Sequence, residues 1–214
     1  MDQPSVRRRW WQYSLRSLLL LALVCALIAW WLRPKTLDPH YFPIAVGDRW
    51  VYASKVGKAQ QDVVFEVVGT EKIGDAECFV VLRTIGNHEV KFYVEVNHRG
   101  VFIHQVGDDR YRPPYRQFTF YTKQEDRWNW KGLIGNERAE YSCLNKGVWP
   151  VSVPLGQWDA FLVSQTSDTD TEFSLVEGIG VVRIYSKNRD KHDPPSKPGE
   201  GSSFDWQLKE FSRQ

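Results

Sequence analysis

The side chains most often used for catalysis and metal binding are few in this chain and lie far apart in the sequence. The five histidines occur at positions 40, 88, 98, 104 and 192. The chain has no Gly-x-Ser-x-Gly elbow, no phosphate-binding glycine loop, no His-Glu-x-x-His and no Cys-x-x-Cys, the patterns that would indicate a reaction or a metal. The sequence therefore predicts no catalytic site, no metal site and no cofactor, and indicates a protein that is not an enzyme.

One enzymatic alternative stays open, a hydrolase of the cell envelope whose site forms only in the folded chain. His98 and His104 lie on either side of a predicted turn and could approach each other, but a metal site would need a third ligand. This alternative requires at least two side chains of one set to converge in a concave site. The set is His88, His98, His104, Asp108 and Asp109.

Two cysteines lie in the body of the chain, Cys78 and Cys143. In an oxidising compartment they could pair, and closing the long loop between them would contribute about 4 kcal/mol by the chain-entropy estimate. Alternatively they are two buried thiols on different strands, because Cys78 lies on the apolar face of a predicted strand. The sequence leaves both possibilities open.

The body of the chain is rich in aromatic residues, and the whole sequence has ten tryptophans. Trp128 and Trp130 share one face of a predicted strand. Such side chains could line a groove for an acyl chain or for stacked sugar rings, or could fill the core of a β-domain. The candidate groove residues are Phe118, Phe120, Trp128, Trp130 and Trp158.

Residues 18–32 form the strongest pattern in the sequence, the apolar run LLLLALVCALIAWWL. One tryptophan pair precedes the run and another ends it, about 30 Å apart along a helix, which matches the spacing of the two bilayer interfaces where Trp is favoured. More arginines precede the run than follow it, so the positive-inside rule places the N-terminus in the cytoplasm and the body outside. The residues that predict this anchor are Arg7, Arg8, Arg9, Trp10, Trp11, Arg16, Trp30 and Trp31.

Other interpretations of this run fit less well. A cleaved signal peptide has an apolar region of this length, but of residues 27–29 only Ala29 is small, as cleavage requires. Lipidation at Cys25 would need a small residue where Val24 lies. A buried core helix would not be apolar on every face behind three arginines. We therefore expect an uncleaved single-pass anchor in the cytoplasmic (inner) membrane.

Charge separates the N-terminal segment from the rest of the chain. The net charge is +2, but residues 1–35 contain six basic residues and one acidic residue, so the remainder has a net charge of −3. An acidic body argues against nucleic-acid binding, which needs clustered Lys and Arg. The expected partners are the lipid bilayer, through the N-terminal helix, and an apolar ligand or an envelope protein.

Beyond the anchor, apolar residues alternate with a period of two, which predicts strands of antiparallel sheet. For example, Val63, Phe65 and Val67 face one way and the intervening residues the other. Turn residues separate ten to twelve such strands, and the polar stretch at 191–203 predicts a loop. The predicted organisation is a cytoplasmic basic N-terminus (1–17), a transmembrane helix (18–32), a Pro-rich linker (33–43) and an extracytoplasmic antiparallel β-domain (44–214).

Five segments of the body follow one another in a characteristic order: Tyr41 to Tyr52, Val63 to Thr84, Phe92 to Phe102, Val153 to Val163 and Val176 to Ser186. This order resembles that of uncharacterised bacterial exported β-rich domains, which are distantly similar to the half-barrel of lipoprotein carriers. The start of the chain resembles the membrane segments of planctomycete envelope proteins. The resemblance implies a mainly β fold, an antiparallel curled sheet (half-barrel or open barrel) around an apolar groove, preceded by one N-terminal transmembrane helix.

These patterns together predict a membrane-anchored extracytoplasmic domain. We expect it to bind an apolar or envelope ligand without catalysing a reaction. The alternatives are a structural or protein-interaction module of the cell envelope, and the envelope hydrolase described above.

Overall fold

The computed structural model describes residues 15–31, 36–56, 59–188 and 203–213. The chain divides into two compact units, residues 1–34 and residues 35–214. Much of the predicted loop at 191–203 lies outside the described residues.

The N-terminal unit contains one helix, α1, which spans Leu15–Trp31. Its side chains from Leu18 to Ile28 are exposed. Of the predicted anchor residues, Arg7, Arg8, Arg9, Trp10 and Trp11 lie outside the described residues, and only the backbone is described at Arg16, Trp30 and Trp31.

Within the described ranges, the structure contains no helix that is both long enough and apolar enough to cross a bilayer.

The second unit consists of a short 3₁₀ helix, Pro39–Tyr41, followed by strands β1 to β12, and so confirms the predicted mainly β fold. The strands are β1 Arg49–Val56, β2 Ala59–Ile73, β3 Ala76–Ile85, β4 His88–Asn97, β5 Gly100–Val106, β6 Asp109–Thr119, β7 Arg127–Ile134, β8 Glu137–Val153, β9 Gly156–Thr166, β10 Thr169–Val176, β11 Gly180–Asn188 and β12 Phe204–Ser212.

The twelve strands form a closed antiparallel barrel, which corrects the prediction of a half-barrel or open barrel. Each strand pairs with its neighbours in the chain, and β12 pairs with both β11 and β1. Trp206 of β12 lies opposite Ile184 on one side and opposite Ser54 on the other. Closure therefore pairs the backbone of the two strands that would be the exposed edges of an open sheet.

The alternation in the sequence sets which side chains fill the barrel. In β2, Val63 and Val67 are buried in the core, whereas Glu66 and Val68 are exposed. Inward and outward positions must alternate along every strand of a barrel because successive side chains point to opposite faces. The period-two pattern in the sequence thus appears directly as core and surface.

Residues 36–44 pack against one end of the barrel rather than forming the expected linker. Leu37 is fully buried and pairs with Thr122 through an isolated β-bridge. Tyr41 packs edge-on against Phe161, with ring centroids 5.4 Å apart. Apolar side chains in this segment gain more from covering the end of the core than from exposure to water.

The weakest junction of the barrel lies between β6 and β7, which pair only at Tyr111–Ile134 and Arg112–Leu133. Pro113 and Pro114 follow in β6, and neither has an N–H group to donate to the neighbouring strand. Beyond these residues, side chains rather than backbone groups join the two strands, as described below.

Candidate functional site

The barrel encloses an apolar cavity of about 280 Å³. Side chains from β1 to β6 and from β10 to β12 line it, together with the segment that packs on the barrel end. Most of these side chains are aromatic or branched aliphatic. They include Phe42, Trp50, Tyr52, Phe65, Val81, Phe92, Val94, Ile103, Phe118, Phe173, Ile184, Phe204 and Trp206.

Four rings from three strands form a connected aromatic wall on one side of the cavity. Phe65 lies 6.1 Å from Phe92 and 6.0 Å from Trp206, between ring centroids. Phe204 stacks on Trp206 at 4.5 Å. Rings at these distances attract one another beyond the gain from burial, so the wall is held in place by its own contacts.

The polar atoms of two aromatic lining residues, Trp50 and Tyr52, have partners within the barrel. The indole nitrogen of Trp50 donates to the carbonyl of Ile179 at 2.7 Å, and the hydroxyl of Tyr52 donates to the carbonyl of Val181 at 2.6 Å. Burial raises the pKa of Tyr52 well above its ordinary value, so this phenol stays neutral. These groups therefore present only ring surface to the cavity.

Arg83 is the exception among the lining residues. It is the one charged side chain among the described residues that line the cavity. Its guanidinium carbon lies 5.2 Å from the ring centre of Phe92 and 6.0 Å from that of Trp206. Its Nε atom is buried and has no hydrogen-bond partner. Burial lowers the pKa of the guanidinium from its ordinary value, although arginine stays charged in proteins.

The alternation of β3 explains how an arginine enters the barrel. Val81 and Arg83 line the cavity, so Cys78 and Val80 lie on the opposite face of the strand. Both faces are partly apolar in sequence, and Cys78 and Val80 are buried on the face that points away from the cavity. The face of Cys78 is the more apolar one in sequence, because the other face carries Glu77 and Arg83, so alternation alone favours the Cys78 face as the inner one. The structure instead turns the face of Val81 and Arg83 toward the cavity.

Of the five candidate groove residues, the structure places only Phe118 in this cavity. Trp128 and Trp130 line a second, separate cavity beside β6, which also includes Pro113 and Arg116. Phe120 belongs to the buried core, and Trp158 is a partly buried residue that packs against this core.

Trp128 and Trp130 instead close the junction between β6 and β7. The indole nitrogen of Trp128 donates to the carbonyl of Arg116 at 3.1 Å, and that of Trp130 donates to the carbonyl of Pro113 at 3.0 Å. Pro113 and Pro114 interrupt the backbone pairing between β6 and β7, and these two side-chain hydrogen bonds bind the β6 carbonyl groups in place of backbone N–H groups. Their shared face in the sequence therefore reflects a structural role.

Cys78 and Cys143 are both buried free thiols, so the possible disulfide is not formed. They lie on β3 and β8, which are not neighbours in the barrel. The sulfur of Cys143 lies 3.5 Å from the hydroxyl of Tyr115, which also donates to Gln165 at 2.6 Å. Burial raises the pKa of each thiol to about 11, which makes both poor nucleophiles at neutral pH.

The five residues named for an envelope hydrolase lie in different surroundings. His104 is buried and pairs with Glu95 at 2.8 Å. His88 begins β4 and His98 follows its last residue, and both are exposed. Asp108 and Asp109 are exposed at the turn between β5 and β6. Within the described part of the chain, no three His, Cys, Asp or Glu side chains are placed to hold a metal ion.

Sequence reasoning missed most of the cavity wall, including Arg83, Phe65, Phe92 and Trp206. These side chains come from strands far apart in the sequence, and only closure of the barrel brings them together. The one available signal was Arg83 itself, two positions after Val81 and therefore on the same face of β3.

Comparison with known proteins gives two distant likenesses in structure. No family model and no curated protein sequence matches the chain. One is the crystal structure of a protein from Bacteroides fragilis that is assigned as exported and has a YmcC-like fold. The match spans 84% of this chain and 100% of the Bacteroides chain, with 12% sequence identity and a TM-score of 0.48. The other is a protein from Parabacteroides distasonis that is assigned as a lipoprotein. The match spans 83% of this chain and 100% of the Parabacteroides chain, with 13% sequence identity and a TM-score of 0.41. No finding supports the resemblance to planctomycete proteins.

Proposed function

We propose that this chain is a membrane-tethered, non-enzymatic binding domain that holds an apolar ligand inside its barrel. The observation that carries the proposal is the cavity of about 280 Å³, which is lined almost entirely by apolar side chains. Binding sites for small molecules are typically cavities of about 300–1,000 Å³ with mainly hydrophobic and aromatic walls and few polar groups. The barrel cavity lies close to the lower end of that range.

The cavity wall is suited to binding because a ligand would contact side chains that have no protein neighbour on the cavity side. Side chains around an unfilled cavity lack contact partners on one side, which costs stability. An apolar ligand supplies those contacts. Its own transfer from water into the cavity also contributes roughly 0.8 kcal/mol of binding free energy for each buried methylene group. The polar groups of Trp50 and Tyr52 are already hydrogen bonded within the protein, so such a ligand would not leave them without partners.

A binding assay on the full chain tests this proposal. The protein is reconstituted in lipid nanodiscs, and a neutral lipophilic dye is titrated against it, with protein-free nanodiscs as the blank. Val94 lines the cavity, and Val94→Trp should fill part of it and weaken dye binding by about tenfold or more. Val68, an exposed valine on β2, supplies the matched control, and Val68→Trp should bind as the unchanged chain does.

Two results would contradict the proposal. One is dye binding to the protein no greater than to the blank, and the other is equal binding by both tryptophan variants. Near-ultraviolet circular dichroism checks that each variant is folded, and the milder Val94→Leu supplies an intermediate case if Val94→Trp is not.

We further propose that helix α1 anchors the chain in the cytoplasmic membrane, with the barrel outside the cytoplasm. The support is the exposed apolar surface of the helix, together with the arginines and tryptophans that flank it in the sequence. A helix of 17 residues is about 26 Å long, close to the ~30 Å hydrocarbon core of a bilayer.

The location is tested with C-terminal fusions of the full chain. A fusion to alkaline phosphatase should be enzymatically active, because this enzyme folds only outside the cytoplasm. A fusion to a fluorescent protein that folds only in the cytoplasm should show no fluorescence. The protein should stay in the membrane pellet after carbonate extraction, with an intact mass that includes residues 1–35. A shortened mass would show that the segment is a cleaved signal peptide.

A further inference from the structure

Arg83 places a positive charge within the wall of an apolar cavity. No carboxylate among the described residues forms an ion pair with it, and no Asp or Glu is found among the described lining residues. The other described lining side chains with polar atoms are the rings of Trp50, Tyr52 and Trp206 and the side chains of Gln117 and Thr171. The hydroxyl of Thr171 already bonds to Ser186 at 3.1 Å.

We propose that the barrel cavity selects a single-chain amphiphile with an anionic head group, a carboxylate or a phosphate monoester, and that Arg83 binds this head group. The inference rests on the proposed function, because it requires that the cavity bind an apolar ligand at all. It adds the chemical class of the ligand and the residue that distinguishes it.

The first argument is the unmet bonding of the guanidinium. Arg83 is partly buried, and a charged group that has lost part of its water is stabilised by an anionic partner. Arg83 has two aromatic faces as neighbours, which favour the cation but accept no conventional hydrogen bond. Its Nε has no partner, and guanidinium presents donors in a planar fork that matches a carboxylate or a phosphate. An anionic group would satisfy both the charge and the open donor.

The second argument is the arrangement around Arg83. The rings on which the guanidinium lies, Phe92 and Trp206, are also part of the aromatic wall that continues to Phe65. A ligand whose head group meets Arg83 would therefore have its apolar part against that wall. One charged end beside a long apolar surface is complementary to an amphiphile, whereas a cationic ligand would be repelled.

The third argument is size. The cavity of about 280 Å³ is at the small end for ligand sites, since such sites typically measure about 300–1,000 Å³. This volume favours one acyl chain over the two chains of a common phospholipid.

The test compares three ligands of equal chain length on the full chain in nanodiscs. These are a long-chain fatty acid, the corresponding alkyl phosphate and the corresponding alkyl alcohol, each competing with the neutral dye. The alcohol has the same apolar part but no charge. We expect at least one anion to bind about tenfold to a hundredfold more tightly than the alcohol, as for a hydrogen bond to a charged group. The stronger of the two anions identifies the head group.

Variants then assign the preference to Arg83. Arg83→Met should abolish the preference for the anion while retaining alcohol binding, which also shows that the variant is folded. Arg83→Lys should keep part of the preference, because it keeps the charge but not the fork. Arg116 is a matched control, since its guanidinium lies 5.4 Å from the ring centre of Phe102 but does not line the barrel cavity. Arg116→Met should leave both affinities unchanged.

The outcomes separate the two proposals. Equal binding of anions and alcohol to the unchanged chain, or a preference that persists in Arg83→Met, overturns the anionic class and leaves apolar binding intact. Failure of all three ligands and of the dye to bind overturns both.

Discussion

Trp130 joins two strands through its side chain. Its indole nitrogen donates to the carbonyl of Pro113, and its ring packs at 5.6 Å from Tyr115. Tryptophan supplies both a large apolar ring and one donor, so it can fill core and bridge strands at once. This combination explains why a residue that resembles a ligand-binding aromatic in sequence is structural here.

Replacing Trp130 with phenylalanine should lower the free energy of unfolding by about 1–3 kcal/mol, because the Pro113 carbonyl loses its donor and part of the ring volume is lost. The control is Trp149→Phe, which removes an indole bond to the Lys146 carbonyl from a side chain that is 52% exposed. That change should cost about 0.5 kcal/mol or less. Urea unfolding followed by circular dichroism measures both, and equal losses would contradict the bridging role.

Cys78 and Cys143 give a second prediction at this scale. Burial raises the pKa of both thiols to about 11, so at pH 8 the fraction present as reactive thiolate is small. In a Cys25→Ser background, the folded chain should react slowly with a thiol reagent at pH 8. Both thiols should react once the chain is unfolded without a reductant. If no thiol is detected in the unfolded chain, the two cysteines form a disulfide after all.

Among the elements, β7 approaches β6 unusually closely at Gly132. A side-chain carbon added there would lie 2.6 Å from the carbonyl oxygen of Arg112 and 2.6 Å from the ring of Trp130. Neither atom is at the end of a flexible side chain, so the strands would have to separate. A residue without a side chain is therefore required at this position, which adjoins the two backbone pairs between β6 and β7.

Gly132→Ala should accordingly lower the free energy of unfolding by about 1–3 kcal/mol, the usual cost of overpacking. The matched control is Gly69→Ala in β2, where an added carbon has no neighbour within 4 Å. There the loss of unfolded-chain entropy should make alanine neutral or stabilising by up to about 1 kcal/mol. Urea midpoints of the two variants measure the difference, and equal shifts would show that the close approach does not limit stability.

At the scale of the whole molecule, closure of the barrel predicts which backbone amides are protected from hydrogen exchange. The amides of Val51 to Ser54 in β1 lie between β2 and β12, so they should exchange with deuterium as slowly as amides in the middle strands. An open half-barrel would instead have two fast-exchanging edge strands. The fastest exchange within the strands should occur in residues 115–119 of β6, which follow the two prolines and lie beyond the two backbone pairs with β7.

Hydrogen-exchange mass spectrometry resolves these peptides. Fast exchange across residues 51–54 would contradict the closed barrel, whereas protection there with rapid exchange in β6 would support both features. A chain that exchanges uniformly would argue against a weak junction at β6 and β7.

Much of the fold follows from local patterns. The period-two alternation of β2 corresponds to an observed strand, and β12 begins at Phe204, directly after the polar stretch at 191–203. These features depend on neighbouring residues, because strand geometry and turn chemistry act over a few positions. The charge and hydropathy of residues 1–35 are likewise local, and they are the basis of the anchor proposal.

The closure of the sheet, the inward position of Arg83 and the wall of the cavity could not be predicted in the same way. Each depends on contacts between residues distant in the chain, such as Trp206 with Ser54 or Arg83 with Trp206. Alternation shows that β3 has two faces, and it favours the face of Cys78 over that of Arg83 as the inner one. The packing of all twelve strands instead turns Arg83 inward, where it is the one charged side chain among the described residues that line the cavity.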